Sequence, residues 1–409
     1  MKKIIALLSC LMTGVLLTMA QSPEALMTQA STEYKNGNYV GAISLCSKII
    51  QQKPDAYLAF CTRGLSYYQL AKYDASISDY NKAIEYNPNF AEVIYYRGLV
   101  YDKMNKYESS VSDYTRAIQI NPNYIDAYYK RGLAYYQIGK YDYSVLDFSK
   151  TITIGGDKAD AYFNRGLCYY KMDKFEAAIA DFGKTITTNP NYKEALYNRG
   201  LCNYRLDNFE PAIQDFTKAI TLDLNYTDAY FNRGLTYNKL DKYNNAILDL
   251  SKTIQLKVDY ADAYCNLGYS CFKSSKFDDA LTNLNKAISL KSDFSDAYFF
   301  RGLVRNKQKQ YESAVIDFSK SLDLKKDKDA FPQGYFNRGV SFMSINKNDE
   351  AVEDFDRAIK LNPEYAEAYS KRGLVKIAMS KKAESCADLK KAADMGLEEA
   401  INAYVKNCD

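Results

Sequence analysis

Two neighbouring stretches decide the fold: Asp160-Ala-Tyr-Phe-Asn-Arg-Gly-Leu-Cys-Tyr-Tyr170 and Phe175-Glu-Ala-Ala-Ile-Ala-Asp-Phe-Gly-Lys-Thr-Ile186. Apolar residues recur in both at three- and four-residue steps, which is the helical period. Asn189-Pro190 closes the pair, as Asn87-Pro88, Asn121-Pro122 and Asn362-Pro363 do elsewhere. Proline cannot continue a helix and restricts the residue before it, so these dipeptides mark turns. The unit is helix, short turn, helix, turn.

That unit recurs along the chain. Gly64, Gly98, Gly132, Gly166, Gly200, Gly234, Gly268 and Gly302 follow one another at 34-residue steps; Gly339 comes after 37 and Gly373 after 34 again. Counting back 34 from Gly64 reaches Ala30, in a degenerate first copy. Eleven copies thus tile residues 23 to about 399 without a linker. Glycine inside a helix costs about 1 kcal/mol against alanine. Its retention predicts that a neighbouring helix backbone passes close by. Ser76, Ala178, Ala212, Ala246 and Ala280, twelve residues on, would supply the small facing surface. Tyr73, Tyr107, Phe175, Tyr243 and Phe277, nine residues on, would close the wedge with bulk.

The glycine, the tyrosines beside it, the later alanine, the aromatic at Tyr80 or Phe182 and the closing proline resemble the tetratricopeptide repeat. The resemblance covers about nine-tenths of the chain, although Tyr or Ile stands where that motif often has Trp. It implies an all-α fold, a right-handed superhelical solenoid of paired antiparallel helices with the first helices lining a concave face. One repeat cannot bury its own apolar face, so stacking supplies the core. Leu397-Glu-Glu-Ala-Ile-Asn-Ala-Tyr-Val405 reads as an additional capping helix, and Lys390-Lys-Ala-Ala-Asp-Met-Gly396 weakly resembles a Sel1-type repeat. The expected organisation is a targeting segment over 1–20, one array over 21–399 with an irregular step near 329–331, and the end of the capping helix and tail over 400–409. The extra residues fall near Lys325-Lys-Asp-Lys-Asp-Ala-Phe-Pro332, which reads as a tolerated insertion, a change of superhelix pitch or an entry point between two binding segments.

Comparison among the copies exposes an ion pair. Nine have Arg before the Gly, and the same nine have Asp fifteen residues after it; examples are Arg63 with Asp79, Arg165 with Asp181, Arg199 with Asp215 and Arg372 with Asp388. The other two lose both members, having Leu267 with Asn283 and Gln29 with Leu45. Co-loss predicts contact: a partly buried pair joining the two helices of a copy, which fixes register more than it stabilises.

The candidate binding surface lies on the first helices. Two residues before the Gly stand Asn164, Asn198, Asn232, Asn266 and later Asn337; three before it are Phe163, Tyr197 and Phe231 among other aromatics. Acids dominate six before it and bases five after it. An amide offers donor and acceptor to an extended backbone without reading its side chains. The row resembles the asparagine ladder of tetratricopeptide superhelices that hold extended peptides, such as that of the O-GlcNAc transferase family. The resemblance carries over to those five asparagines alone. The chain departs from the chaperone-binding carboxylate clamp, which has Lys three before the Gly. A bland reading stays open: solvated Asn carried along by duplication, and aromatics that pack helix on helix.

Cys168, Cys202, Cys265 and Cys271 read as small packing residues; Cys386 and Cys408 are the disulfide candidate, stapling the capping helix. No spacing suggests a metal site. At the N-terminus, Lys2 and Lys3 precede an apolar run from Ile4 to Met19, and Thr18-Met19-Ala20 permits cleavage before Gln21. An uncleaved anchor and lipidation at Cys10 are rival readings. The expected location is exported, in the periplasm or cell envelope, with secretion as a further option.

The absence of His, of a phosphate-binding Gly loop and of residues outside the repeats argues against an enzyme and calls for no cofactor. A net charge of +4, evenly interleaved, gives no nucleic-acid stripe. The sequence therefore reads as a scaffold for a protein or peptide partner, without membrane insertion after signal cleavage and with self-association left open. The alternative is a structural component of an envelope assembly, contacting folded partners or itself through its convex face or ends.

Overall fold

A computed structural model describes residues 22–156, 158–325 and 331–408. The targeting segment, Cys10 and most of the charged insertion lie outside these residues. Among those described there are 23 helices and no strand. The chain divides into two compact units, 1–195 and 196–409. The first holds five helix pairs, from Pro23–Lys35 with Tyr39–Gln52 to Ala159–Lys171 with Phe175–Thr188. Lys193–Arg205 runs across the division. The second holds Phe209–Leu222, five further pairs from Thr227–Lys239 with Tyr243–Leu256 to Ala366–Ala378 with Lys382–Asp394, and the last helix, Glu398–Cys408.

Each turn inside a pair has one residue in the left-handed region. In the first pair it is Gly37 (φ 79°); from the second pair onward it falls seven residues after the repeat glycine, at Ala71, Asn105, Gly139, Asp173, Asp207, Asp241, Ser275, Lys309, Asn346 and Ser380, all with φ between 55° and 73°. This closes the first helix, since a left-handed residue at that place lets the following amides reach back to its last carbonyls. Lys106 N–H, for instance, donates to Tyr101 O at 2.9 Å. The turns between pairs open on Asx bonds: Asn123, Asn191 and Glu364 N–H donate to the side chains of Asn121, Asn189 and Asn362.

The core explains the glycines, with one correction. At most of them the closest neighbour is a ring rather than a helix backbone, sixteen residues on in the second helix of the same pair. A Cβ on Gly166 would stand 2.8 Å from Phe182 Cε1, one on Gly302 2.7 Å from Phe318 Cε1, and one on Gly64 2.7 Å from Tyr80 Cε1. These rings are among the largest fully buried side chains. The residue twelve after the glycine is also buried, and three of the serines there donate to the glycine carbonyl: Ser76 to Gly64 O and Ser144 to Gly132 O, both at 2.7 Å, and Ser385 to Gly373 O at 2.8 Å; Ser110 turns instead to Tyr107 O of its own helix. Backbone also comes close at Gly268 and Gly373, where a Cβ would stand 3.2 Å from Ala280 O and from Ser385 O. The aromatics nine after the glycine meet the ring ahead of the turn, as Tyr170–Phe175 at 5.7 Å and Tyr204–Phe209 at 5.9 Å.

Cys386 and Cys408 are joined by a disulfide with Cα atoms 5.6 Å apart, which ties the last helix to the second helix of the final pair. The other described cysteines are buried and unpaired. Burial pushes the Cys46 and Cys202 thiols up to about 12 and Cys168 to about 11, so they pack as small apolar groups.

Candidate functional site

Every Arg that precedes a repeat glycine grips the Asp of its own second helix with both Nε and Nη2. The Nη2–Oδ1 distances are 2.8 Å for Arg63–Asp79 and 2.7 Å for both Arg165–Asp181 and Arg199–Asp215. The corresponding Nε–Oδ2 distances are 2.8, 2.7 and 2.9 Å. This is the planar fork that suits a carboxylate. The aspartates are buried and the arginines half-buried. Burial pushes the Asp79, Asp147, Asp249 and Asp354 carboxyls above the usual range, and the facing guanidinium pulls against it.

The structure adds a third contact that the sequence does not announce. The remaining nitrogen, Nη1, donates to the second helix of the preceding copy: Arg63 to Ser47, Arg97 to Asn81, Arg131 to Thr115, Arg165 to Ser149, Arg233 to Thr217, Arg301 to Asn285 and Arg338 to Ser319. Arg372 meets Asp356 there. Each partner lies seventeen residues after its own copy's glycine, or after Ala30 in the case of Ser47, so the recurrence of Ser, Thr and Asn at that phase was the available signal. At these eight positions the Arg bolts copy to copy as well as helix to helix, whereas Arg199 bonds to Asp215 alone among the described residues. Tyrosine rings flank it; the Arg131 guanidinium lies 5.6 Å from the Tyr128 ring and 5.8 Å from Tyr135. The copies without Arg have one apolar member each at these places: Leu267 is buried beside Leu284, and Leu45 packs near Ala30. Asn283 donates to Asp279 O within its own helix instead of reaching across.

The asparagine row sits half-buried on the first helices. Asn164 belongs to the first unit; Asn198, Asn232, Asn266 and Asn337 belong to the second. Their amide hydrogens are largely spent inside the chain. Asn164 Nδ2 donates to Asp160 O at 2.7 Å and to Tyr129 Oη at 3.1 Å. Asn232 Nδ2 donates to Asp228 O at 2.8 Å and to Tyr197 Oη at 3.0 Å. Asn266 and Asn337 Nδ2 donate to Asp262 O and Gln333 O. A backbone carbonyl can only accept, so these bonds fix which end of each amide is which. No donor among the described residues meets Oδ1 of Asn164, Asn232, Asn266 or Asn337. Asn164 and Asn232 therefore present an acceptor alone, whereas Asn266 and Asn337 keep one amide hydrogen beside the oxygen, the paired donor and acceptor expected of the row. Phe163, Tyr197 and Phe231 pack between helices: Phe163 lies 4.8 Å from the Tyr192 ring, Tyr197 5.1 Å from Tyr226 and Phe231 4.7 Å from Tyr260.

The first unit holds a cleft of about 450 Å³ lined by Asp126, Tyr129, Lys158, Asp160, Asn189 and Tyr192. Among the described residues no group of three or more His, Cys, Asp or Glu is placed to hold a metal, and no helix is long and apolar enough to cross a membrane.

The ion pair yields a direct test. Arg233→Met alone costs about 3 kcal/mol of stability, because it strands a buried carboxylate; Arg233→Met with Asp249→Leu costs clearly less. The lone Asp249 has a folded-state pKa above its unfolded one, so the single variant is weakest at neutral pH. It recovers as pH falls through the raised value. Urea unfolding of the four members of the cycle at two pH values measures both effects. Additive losses would contradict the pairing.

Family models agree with this geometry over most of the array. A "TPR repeat" model matches residues 64–105, 103–139 and 339–379, and "Tetratricopeptide repeat" models match 159–192, 194–226, 227–257, 261–294 and 295–328. Small glutamine-rich tetratricopeptide repeat-containing protein 2 of Saccharomyces cerevisiae is 33% identical over 73 residues, which is 18% of this chain and 21% of that protein. The chain thus spans about a fifth of that relative's length. Among solved structures, a chain of the APC/C hetero-tetramer Cut9-Hcn1 superposes with a TM-score of 0.52 at 12% identity, covering 95% of this chain and 97% of that one. The C-terminal part of a TPR repeat-containing protein from Cytophaga hutchinsonii superposes with a TM-score of 0.53 at 20% identity, covering 59% and 99%. These two likenesses are of fold alone. On its repeats, helix pairs and family matches, the chain belongs to the tetratricopeptide repeat proteins.

Proposed function

We propose that this chain is a non-catalytic scaffold of the cell envelope that binds an extended peptide or protein segment along the shared face of its first helices. The fold is one typical of protein–protein interaction. The observation that carries the peptide reading is the asparagine row. Asn232 and Asn266 are fixed in orientation by their own helices, and each leaves an amide oxygen without a donor among the described residues. Such oxygens suit the N–H groups of a chain laid across them, and the prior fixing of the side chains lowers the ordering cost of binding. No cofactor enters this reading. Export is supported by the N-terminal sequence and by the Cys386–Cys408 disulfide, since disulfides persist mainly in oxidising compartments. The second reading, contact with folded partners or with itself, is favoured by one feature. Ile401 and Val405 lie exposed, one turn apart, on the last helix.

Two measurements test these statements. In protein recovered from its native cell, mass spectrometry should find a chain that begins at Gln21 with residues 386 and 408 oxidised. An intact Met1 with both thiols free would contradict export. Peptides selected from a random displayed library against the whole chain should bind the Asn232→Ala, Asn266→Ala double variant about tenfold more weakly, the loss of roughly two hydrogen bonds. Selection that yields no binder, or binders indifferent to both substitutions, would favour the second reading.

A further inference from the structure

Three successive first helices of the second unit, Thr227–Lys239, Ala261–Lys273 and Ser295–Lys307, share a charge pattern that the asparagines do not explain. Each has an exposed Asp in its first turn (Asp228, Asp262, Asp296) and an exposed Lys at its last residue (Lys239, Lys273, Lys307). The two lie eleven residues apart, which is near three full helical turns, so both fall on the side that bears Asn232 and Asn266; the separation is about 16 Å along the axis. The face therefore has an acidic border, a line of amide oxygens and a basic border. In the third helix the asparagine position is held by Phe300, whose ring lies 4.9 Å from Tyr269 of the helix before. That puts an aromatic floor at one end of the line.

The spacing of the copies limits what can lie there. Consecutive first helices are in contact: Ser270 Oγ donates to Asn238 Oδ1 at 2.7 Å, and the Tyr269–Phe300 rings meet. Packed helices lie roughly 8–10 Å apart. A β-strand repeats its side chains every two residues, about 6.7 Å, and falls out of step after one copy. A polyproline-II segment rises about 3.1 Å per residue with three residues per turn, so each side chain returns to the same side after about 9.3 Å. Its N–H groups make no internal hydrogen bonds and remain available to acceptors. Aromatic floors are also a recurrent seat for this conformation.

Resting on the peptide-binding reading above, we infer that this face takes a polyproline-II segment with a three-residue charge repeat: one cation, one anion and one small or proline spacer per copy. The cations face Asp228 and Asp262, and the anions face Lys239 and Lys307. Asp296 is already held by Lys325 at 2.8 Å, and Lys273 lies 5.5 Å from the Tyr243 ring, so these two are weaker seats. The spacers point outward over Asn232, Asn266 and Phe300.

The test titrates the full chain, by fluorescence anisotropy at low and moderate salt, with a labelled (Lys-Pro-Glu)5 peptide and with the same residues in scrambled order. The ordered peptide should bind at least about tenfold more tightly than the scrambled one. The Asp228→Asn, Asp262→Asn double variant should lose about five- to tenfold in affinity for it and flatten its salt dependence, as two exposed pairs would. Circular dichroism should match the parent, because neither carboxylate bonds to the rest of the chain among the described residues. Equal binding of ordered and scrambled peptides overturns the three-residue repeat while leaving a peptide groove in place. Binding of library-selected peptides, with neither charged peptide bound, likewise overturns the repeat and keeps the groove. Failure of every peptide overturns both the repeat and the groove.

Discussion

A ring pressed onto a glycine sets the geometry of this protein. In the first helix of each pair from Gly64 onward, the surface is bare at one place, and a side chain sixteen residues later fills it: Tyr80, Tyr114, Phe148, Phe182, Phe216 or their equivalents. The space is too tight for even a methyl group, so the two helices close to the limit that backbone and ring allow. That closeness has consequences. It brings the buried Asp within reach of the neighbouring Arg in a two-point grip, and it brings the small residue twelve after the glycine onto the glycine carbonyl. Where the ring is replaced by Leu250, Leu284 or Leu389, the contact stays equally close.

The arginine then converts a stack of pairs into an array. In eight of the nine copies that have it, two of its donors serve its own pair and the third serves the pair before it, so one side chain carries both register and propagation. Such nearest-neighbour bonding is what a solenoid relies on in place of one central core. The copy with Leu267 shows that the array tolerates loss of the ion pair when both charges go together, with a buried Leu in place of the Arg and Asn283 in place of the Asp. The glycine survives in that copy, so the ring-like contact is the more basic of the two devices.

Much of this was legible in the residues. The 34-residue period, the two helices per copy and the Arg–Asp contact follow from spacing and from paired loss among copies, because internal repetition makes covariation visible within one chain. Other features were hidden for physical reasons. Small residues in both helices suggest backbone meeting backbone, whereas the void beside the glycine is filled by a ring from a different phase. The asparagines looked like ambidextrous amides, since nothing in the sequence says that their hydrogens turn back to a carbonyl four residues earlier. Phe163, Tyr197 and Phe231 read as groove aromatics because they immediately precede the asparagines, yet adjacent helical residues lie about 100° apart; in the fold they face the following turn. The signal at seventeen residues was present but is carried by Ser, Thr and Asn, which recur too freely to stand out.

The most direct measurement of the central contact is the substitution Gly302→Ala, followed by hydrogen exchange of the amides in Ser295–Lys307 and Tyr311–Leu324. Intrinsic helix preference alone would stabilise these helices by about 1 kcal/mol. A methyl group 2.7 Å from Phe318 Cε1 should instead force the buried ring to move and lower protection by about 1–2 kcal/mol net, with the loss centred on this pair. Increased protection would contradict the account, because it would mean that the glycine is there for no reason of packing.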